Sequence, residues 1–489
     1  MTTVHSVRSF LSSVLLRGVA SGAVAIRGLV FLPIIAKNFG TTEYSIWSQI
    51  ITTSALLFPV LSLGLESACV RYIAGEDREQ ARRSLTTVLL SILIVTTGLL
   101  AFAFEFREQL AVAVFGSADA VSYVPFLLLY VLATTIFQVL LGFYRAMNEV
   151  KIHSLFRLGQ LIVDISVAVG LVVLLSGPLS WLLSGVIAVQ ILLALIVLGH
   201  QLLRGKFTAQ IDARSFGKYL RYGVPLIPDS FLLWVLNFSD RFVVVHFMSL
   251  EAAGVYASAY RFGQMPRLLL SSLSFVLLPQ ISAMWERGER ARVKLWIEHS
   301  IKYYLFAVIP AVLLLYHFGP VALEWLSTPE FAVSQLLFLY VSFGLLLVGV
   351  YELYVFVIYM NEKTWILPLT SVVAAGLNVG LNVWLVPIIG LEGAAAATVL
   401  SFGLQCLIVG VISQRLLKLH WDLPFLAKCL AAAGIMHGVL HFVDLLGGIA
   451  GAVVETALGL LVYLTATVLL RAWSWASIVE LLQRLRRRT

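Results

Sequence analysis

The sequence predicts an all-α, polytopic integral membrane protein of about 14 transmembrane helices, and three observations carry that reading. Hydrophobic residues make up 60% of the 489 and charged residues 12%, about half the ~25% usual in soluble proteins. Apolar runs long enough to cross a bilayer recur along the whole chain. Lys and Arg gather in alternate connections, as the positive-inside rule requires of a chain that weaves through a membrane.

The runs fall at about 11–36, 44–67, 84–104, 122–144, 155–176, 179–203, 224–246 and 252–279, then 299–319, 333–358, 364–388, 391–414, 425–444 and 449–470. The first contains the small residues Ser21-Gly22-Ala23, but it continues apolar to Ala36, so it is read as an uncleaved span. Gly177-Pro178 marks a tight turn between two spans. Connections are short throughout, and no segment could fold as a sizeable soluble domain. Two six-helix lobes are expected, 1–205 and 206–420, followed over 421–489 by an additional helix pair and a basic amphipathic tail. Weak echoes between the halves suggest parallel repeats of the kind found in transporters.

All but seven of the 34 Lys and Arg lie on one side of the membrane under this reading. The exceptions are the outer Lys37 and Arg107 and the embedded Arg17, Arg27, Arg241, Arg261 and Arg267. That asymmetry places both termini in the cytoplasm of a cell whose inner, cytoplasmic membrane holds the protein. The net charge of +8 therefore points to anionic lipid and not to nucleic acid, because the cations abut membrane segments. The tail from Ile478 to Arg488 is expected to lie along the inner leaflet. Cys69, Cys406 and Cys429 are scattered and indicate neither a disulfide framework nor a thiolate metal site. His437 and His441 have metal-ligand spacing without a supporting ligand set, and packing is the preferred reading. Trp47, Trp181, Trp325, Trp365, Trp384 and Trp421 fall near span ends and read as interface anchors.

The stretch from 222 to 280 carries charge where lipid disfavours it. Val224 to His246 covers roughly 34 Å at ~1.5 Å per residue, enough to span a ~30 Å core, yet it contains Asp229, Asp240 and Arg241. The return helix places Arg261 and Arg267 at depth, Arg267 in a polar stripe with Tyr256, Tyr260, Gln264, Ser271 and Ser274, and Arg261 beside that stripe. Each such charge costs at least ~2.5–3.5 kcal/mol on a lipid-facing helix, so a wet interior is expected. Asp164 stands alone among Ile162, Val163, Ile165 and Val167. It is a candidate for coupling to a proton or sodium ion, with an ion pair to an arginine of the first span as the competing reading. Glu352 is a second coupling candidate, and no other cofactor is indicated.

Tyr222-Gly223-Val224-Pro225-Leu226-Ile227-Pro228, then Asp240-Arg241, then Gly254-Val255-Tyr256-Ala257-Ser258-Ala259-Tyr260-Arg261 together resemble the polysaccharide-biosynthesis flippases of the O-antigen type, in the multidrug/oligosaccharidyl-lipid/polysaccharide exporter superfamily. Phe39-Gly40-Thr41-Thr42-Glu43-Tyr44-Ser45-Ile46-Trp47 is similar to that family's first outer turn, and Gly390-Leu391-Glu392-Gly393-Ala394-Ala395 to a late one. The likeness covers roughly residues 10–420. It implies two lobes around a central cavity, with Arg27, Arg241, Arg261 and Arg267 facing a phosphate-bearing substrate. Asp240, Asn237, Tyr260 and Gln264 would join them there. Guanidinium suits that task because its fork binds phosphate bidentately and stays charged.

The resemblance implies translocation of a polyprenyl-diphosphate-linked oligosaccharide, with membrane lipid as surroundings and the polymerase and glycosyltransferases of the same pathway as partners. A cation-coupled multidrug exporter of the same fold is the alternative, and such cavities favour acidic residues. A membrane polymerase or ligase would need a catalytic set on a substantial outer loop, whereas the longest outer loop here, about 105–121, is too short to fold. A transporter and not an enzyme is expected. No Gly-rich Lys motif for phosphate binding exists, so ATP hydrolysis is not the energy source.

Overall fold

A computed structural model of the chain describes residues 27–265, 267–442 and 448–472, except for the side chains of 74, 215, 267–273, 275 and 276. Helix accounts for nearly all regular structure among them. Residues 27–39 form α1, followed by α2 (Thr41–Leu61), α3 (Leu65–Tyr72), α4 (Arg78–Glu105), α5 (Arg107–Phe115), α6 (Val124–Ala146), α7 (Val150–Ala168) and α8 (Leu179–Leu203). Then come α9 (Ala213–Gly223), α10 (Ile227–Phe247), α11 (Leu250–Gly263), α12 (Arg267–Glu286), α13 (Arg290–Leu326), α14 (Gln335–Met360), α15 (Ile366–Leu416), α16 (Leu423–Phe442) and α17 (Gly448–Leu469). Eleven described helices are long and apolar enough to cross a membrane.

Their bounds follow from local chemistry. Asp77 caps α4 by accepting the Gln80 amide at 2.8 Å, and Ser334 caps α14 through the Leu337 amide at 3.2 Å, each meeting one of the four orphan N–H groups at a helix start. The predicted span 44–67 stops early, at Leu61, where Leu63 and Gly64 both take left-handed φ, 53° and 63°, a conformation that glycine adopts without a Cβ clash. Position 64 also demands glycine for room, since a Cβ there would lie 2.3 Å from the Gly223 carbonyl oxygen.

The eighth predicted span, 252–279, divides into α11 and α12 around a turn at Gln264 and Met265. The sequence carries Pro266 at that point, which lacks the N–H that would continue the ladder. The spans expected at 364–388 and 391–414 run together as α15, with non-helical backbone only at Ile389 and Gly390. Helix α13 is much longer than its apolar run, since its charged start, Arg290 to Lys302, is helical as well. Most of the first predicted span, and the basic tail, lie outside the described residues.

The chain forms two compact units, Met1–Ala257 with Asn382–Gly390, and Ser258–Leu381 with Leu391–Thr489. In the first, α6 is the hub, packed by α2, α3, α4, α7 and α8. Its core holds Leu65, Phe137, Leu140, Phe143 and Tyr219, all fully buried. In the second, α13 packs against α12, α14, α16 and α17, around Ile297, Val308, Leu353 and Met436. Trp181, Trp325, Trp365, Trp384 and Trp421 are exposed. Trp47 is not an anchor: it is buried and stacked on Phe31 with ring centroids 5.0 Å apart.

Candidate functional site: buried charges of the first unit

Helix α7 brings three polar side chains to one face. Arg157, Gln160 and Asp164 recur at i, i+3 and i+7, the spacing that aligns residues along a helix. Arg157 Nη1 donates to Gln160 Oε1 at 3.0 Å, and Gln160 Nε2 donates to Gln190 Oε1 of α8, also at 3.0 Å. At the end of this stripe Asp164 is 0% exposed. Its Oδ2 lies 3.1 Å from Arg27 Nε on α1. Among the described residues neither Asp164 oxygen nor Arg27 Nη2 has a hydrogen-bond partner. The Arg27 guanidinium also lies 5.4 Å from the Phe31 ring centroid, and Phe31 in turn covers Trp47.

A second cluster joins α2, α10 and α11. Asp240 and Arg241 are 2% and 4% exposed. Tyr256 donates its hydroxyl to Asp240 Oδ2 at 2.6 Å, and the Arg241 amide donates to Asp240 Oδ1 at 2.9 Å. Arg241 Nη1 donates to Thr52 Oγ1 at 2.9 Å, and its guanidinium lies 5.0 Å from the Phe238 ring centroid. Trp234 Nε1 donates to the Thr52 carbonyl at 2.9 Å, so one turn of α2 receives two side chains of α10. Asn237 bonds back to the Leu233 carbonyl of its own helix at 2.7 Å. Near the Lys- and Arg-rich end, Arg145 Nη1 meets Glu66 Oε1 at 3.2 Å. Glu66 packs where any side chain at Gly142 would stand, 2.6 Å from the built Cβ.

The structure therefore brings Arg27 to Asp164, the pairing the sequence leaves as one of two readings, and sets Arg241 beside Asp240. Arg261, Tyr260, Gln264 and Glu352 belong to the second unit. Tyr260 is buried and the other three are partly exposed. Arg261 forms no ion pair among the described residues. Helix α12 contains Arg267, but its side chain lies outside the described residues. Sequence reasoning missed Thr52 and Gln190, for which no local signal exists. It also missed Gln160 and the role of Arg157, which the i, i+3, i+7 spacing ahead of Asp164 could have revealed.

Residues 10–285, more than half the chain, match the polysaccharide biosynthesis protein family. A probable low-salt glycan biosynthesis flippase, Agl15 of Haloferax volcanii, is 24% identical over 262 residues, 53% of this chain and 55% of that protein. The match thus spans about half the length of that relative. Among solved structures, the lipid II flippase MurJ in an inward closed conformation superposes with a TM-score of 0.72 at 18% identity, over 94% of this chain and 99% of that one. An inward-facing multidrug resistance MATE family transporter of the MOP superfamily gives 0.66 at 15% identity, over 80% and 94%. At these identities the two structures establish a shared fold, and the matched residues establish descent: the chain belongs to the polysaccharide biosynthesis protein family.

Proposed function

We propose that this protein is a flippase that moves a polyprenyl-diphosphate-linked oligosaccharide across the cytoplasmic membrane by alternating access, both termini cytoplasmic, driven by a proton or sodium gradient. The observation that carries this reading is the contact of Arg27 with the fully buried Asp164 at 3.1 Å, inside an apolar helical unit of a polysaccharide biosynthesis family member. Charge at such depth is costly and marks transport pathways and ion relays. Arg27 can exchange its carboxylate partner for a substrate phosphate. Protonation of Asp164, or a sodium ion on it, would free the guanidinium for that exchange, so one pair would link ion and substrate. Arg241, Asp240 and Asn237 supply a second cationic locus in the same unit. In the second unit Arg261, Tyr260, Gln264 and the undescribed Arg267 side chain are proposed as substrate contacts on their own chemistry, and Glu352 as a second ion-coupling group.

A cation-coupled multidrug exporter is the second reading, and the fold shared with a multidrug transporter favours it. The buried Arg241, and Arg27 set against the buried Asp164, argue against it, since they would repel cationic drugs. The test is reconstitution into vesicles with a fluorescent polyprenyl-diphosphate sugar, scored by quencher access, beside an efflux assay with a cationic dye. Gradient-dependent sugar-lipid translocation with no dye efflux is expected. Dye efflux without translocation would replace the proposal by the exporter.

A further inference from the structure

The second unit carries a groove that the flippase reading leaves unused. It measures about 790 Å³ and is bounded by α13, α14, the later half of α15, and α16. Phe343, Leu346, Val350, Leu407 and Leu430 make its walls apolar, while Arg415, Lys418 and Trp421 stand at one end. From Leu407 to Lys418 the groove follows α15 and its C-terminal turn for about 16 Å at ~1.5 Å per residue. That is close to half of a ~30 Å hydrocarbon core. The groove therefore runs from a basic rim to about the bilayer midplane, the depth of one leaflet.

The rim is built. Gln414 locks the turn after α15 by donating to the Leu419 carbonyl at 3.1 Å and accepting the Leu419 amide at 2.9 Å. Ser413 Oγ donates to the Tyr354 carbonyl at 3.0 Å, and Trp421 Nε1 donates to the Tyr354 hydroxyl at 2.8 Å. Arg415 and Lys418 thus sit on fixed backbone, and neither forms an ion pair among the described residues. The acids of this region are occupied elsewhere: Asp422 by Lys302 at 2.7 Å, Glu298 by His420 at 3.4 Å and Lys294 at 3.8 Å. Two cations without an ion-pair partner among the described residues, at the mouth of an apolar groove, complement an amphiphile with an anionic head.

We infer that this groove binds an anionic glycerophospholipid of the adjoining leaflet, its phosphate on Arg415 and Lys418 and one acyl chain along α14 and α15. Basic pockets between membrane helices recognise anionic headgroups in this way. A chain of many isoprene units would exceed the one-leaflet depth, which separates this site from one for the lipid tail of a transported glycan. A second copy of the chain fits poorly, because an isologous contact turns the same patch upon itself and would oppose like charges.

The experiment is native mass spectrometry of the full-length, delipidated protein titrated separately with phosphatidylglycerol, phosphatidylcholine and polyprenyl phosphate. Wild-type protein should retain phosphatidylglycerol over phosphatidylcholine. Arg415→Gln with Lys418→Gln should cut that preference by roughly fivefold for each cation removed. Val411→Trp, at a groove position 46% exposed, should plug the chain site and lower retention of both phospholipids. Both rim residues are exposed, so the double variant decides the matter even if the tryptophan variant fails to fold. Equal retention of the two phospholipids by wild type would overturn the inference, as would an undiminished preference in the double variant. Displacement of phosphatidylglycerol by equimolar polyprenyl phosphate would reassign the groove to a transported lipid. A dimer dispersed by Val411→Trp would reassign it to a second copy.

Discussion

Arg27 and Asp164 meet at 3.1 Å within the first unit, the carboxylate shut off from solvent entirely. Breaking such a pair from one side strands a buried charge and costs about 3–5 kcal/mol, whereas replacing both partners by apolar residues is often neutral. Arg27→Ala alone should therefore lower melting temperature and membrane abundance. Arg27→Met with Asp164→Leu should restore both. If the pair serves transport, the double variant stays inactive at normal abundance. Recovery of glycan translocation along with abundance would reduce the pair to packing.

The loop before α16 carries a pH-sensitive contact, whose titrating group, Asp422, lies outside the membrane segments. Lys302 Nζ donates to Asp422 Oδ2 at 2.7 Å, and this bond holds the Asp422 carboxyl below its ordinary value. A depressed carboxylate adds stability above its unfolded pKa of ~3.9 and loses it as pH falls through the lower, folded value. Solvent screening keeps the contribution below about 1 kcal/mol. The melting temperature of wild type should exceed that of Asp422→Asn near neutral pH, and the gap should close below about pH 4. A gap that widens with acid would contradict the assignment.

The spans were legible because hydropathy is a local property. Leu179–Leu203 falls where its apolar run begins and ends. What hydropathy cannot show is where a ladder breaks inside an apolar run, hence the undivided eighth span over Pro266. Partners were less legible. Arg27 and Asp164 were each recognisable as charges too deep to escape, but their meeting depends on how α1 and α7 pack. Thr52 was invisible, since threonine in an apolar helix commonly bonds only its own backbone. Trp47 misled because closeness to a span end predicts an interface anchor only for a side chain that faces lipid.

The Lys and Arg asymmetry makes orientation testable. Reporter fusions at Gly116 and Glu392 should report the outer side, and fusions at Glu76 and Glu289 the inner side. An outer signal from Glu289 would invert the second half of the topology.

Gly254 separates steric demand from helix propensity. A Cβ there would lie 2.2 Å from the Thr41 carbonyl oxygen, a backbone atom that cannot swing away. Gly254→Ala should destabilise by about 1–3 kcal/mol. Gly98, inside α4, has nothing within 4 Å of a built Cβ, and Ala there gains up to about 1 kcal/mol in helix propensity. Thermal unfolding of the two variants should shift in opposite directions.

Tyr256, Asp240, Arg241 and Thr52 form a chain of polar contacts across α11, α10 and α2, and its ends can be cut separately. The Tyr256 hydroxyl donates to Asp240 at 2.6 Å, while Arg241 donates to Thr52 at 2.9 Å. Removing the hydroxyl with Tyr256→Phe leaves a buried carboxylate short of a donor and should cost about 1–3 kcal/mol. Thr52→Val removes a neutral acceptor from a guanidinium and should cost less. Neither change removes charge, so transport per molecule should survive in both if the cluster only positions helices. The arginine itself is a different matter. Arg241→Lys keeps the charge but loses the planar fork that matches a phosphate, so under the proposed function it should retain only part of the activity of wild type. Arg241→Ala should abolish activity at an abundance that Asp240→Asn, added to it, restores. Full translocation by Arg241→Ala at normal abundance would remove Arg241 from the substrate path and leave Arg27 as the sole cationic candidate tested in the first unit.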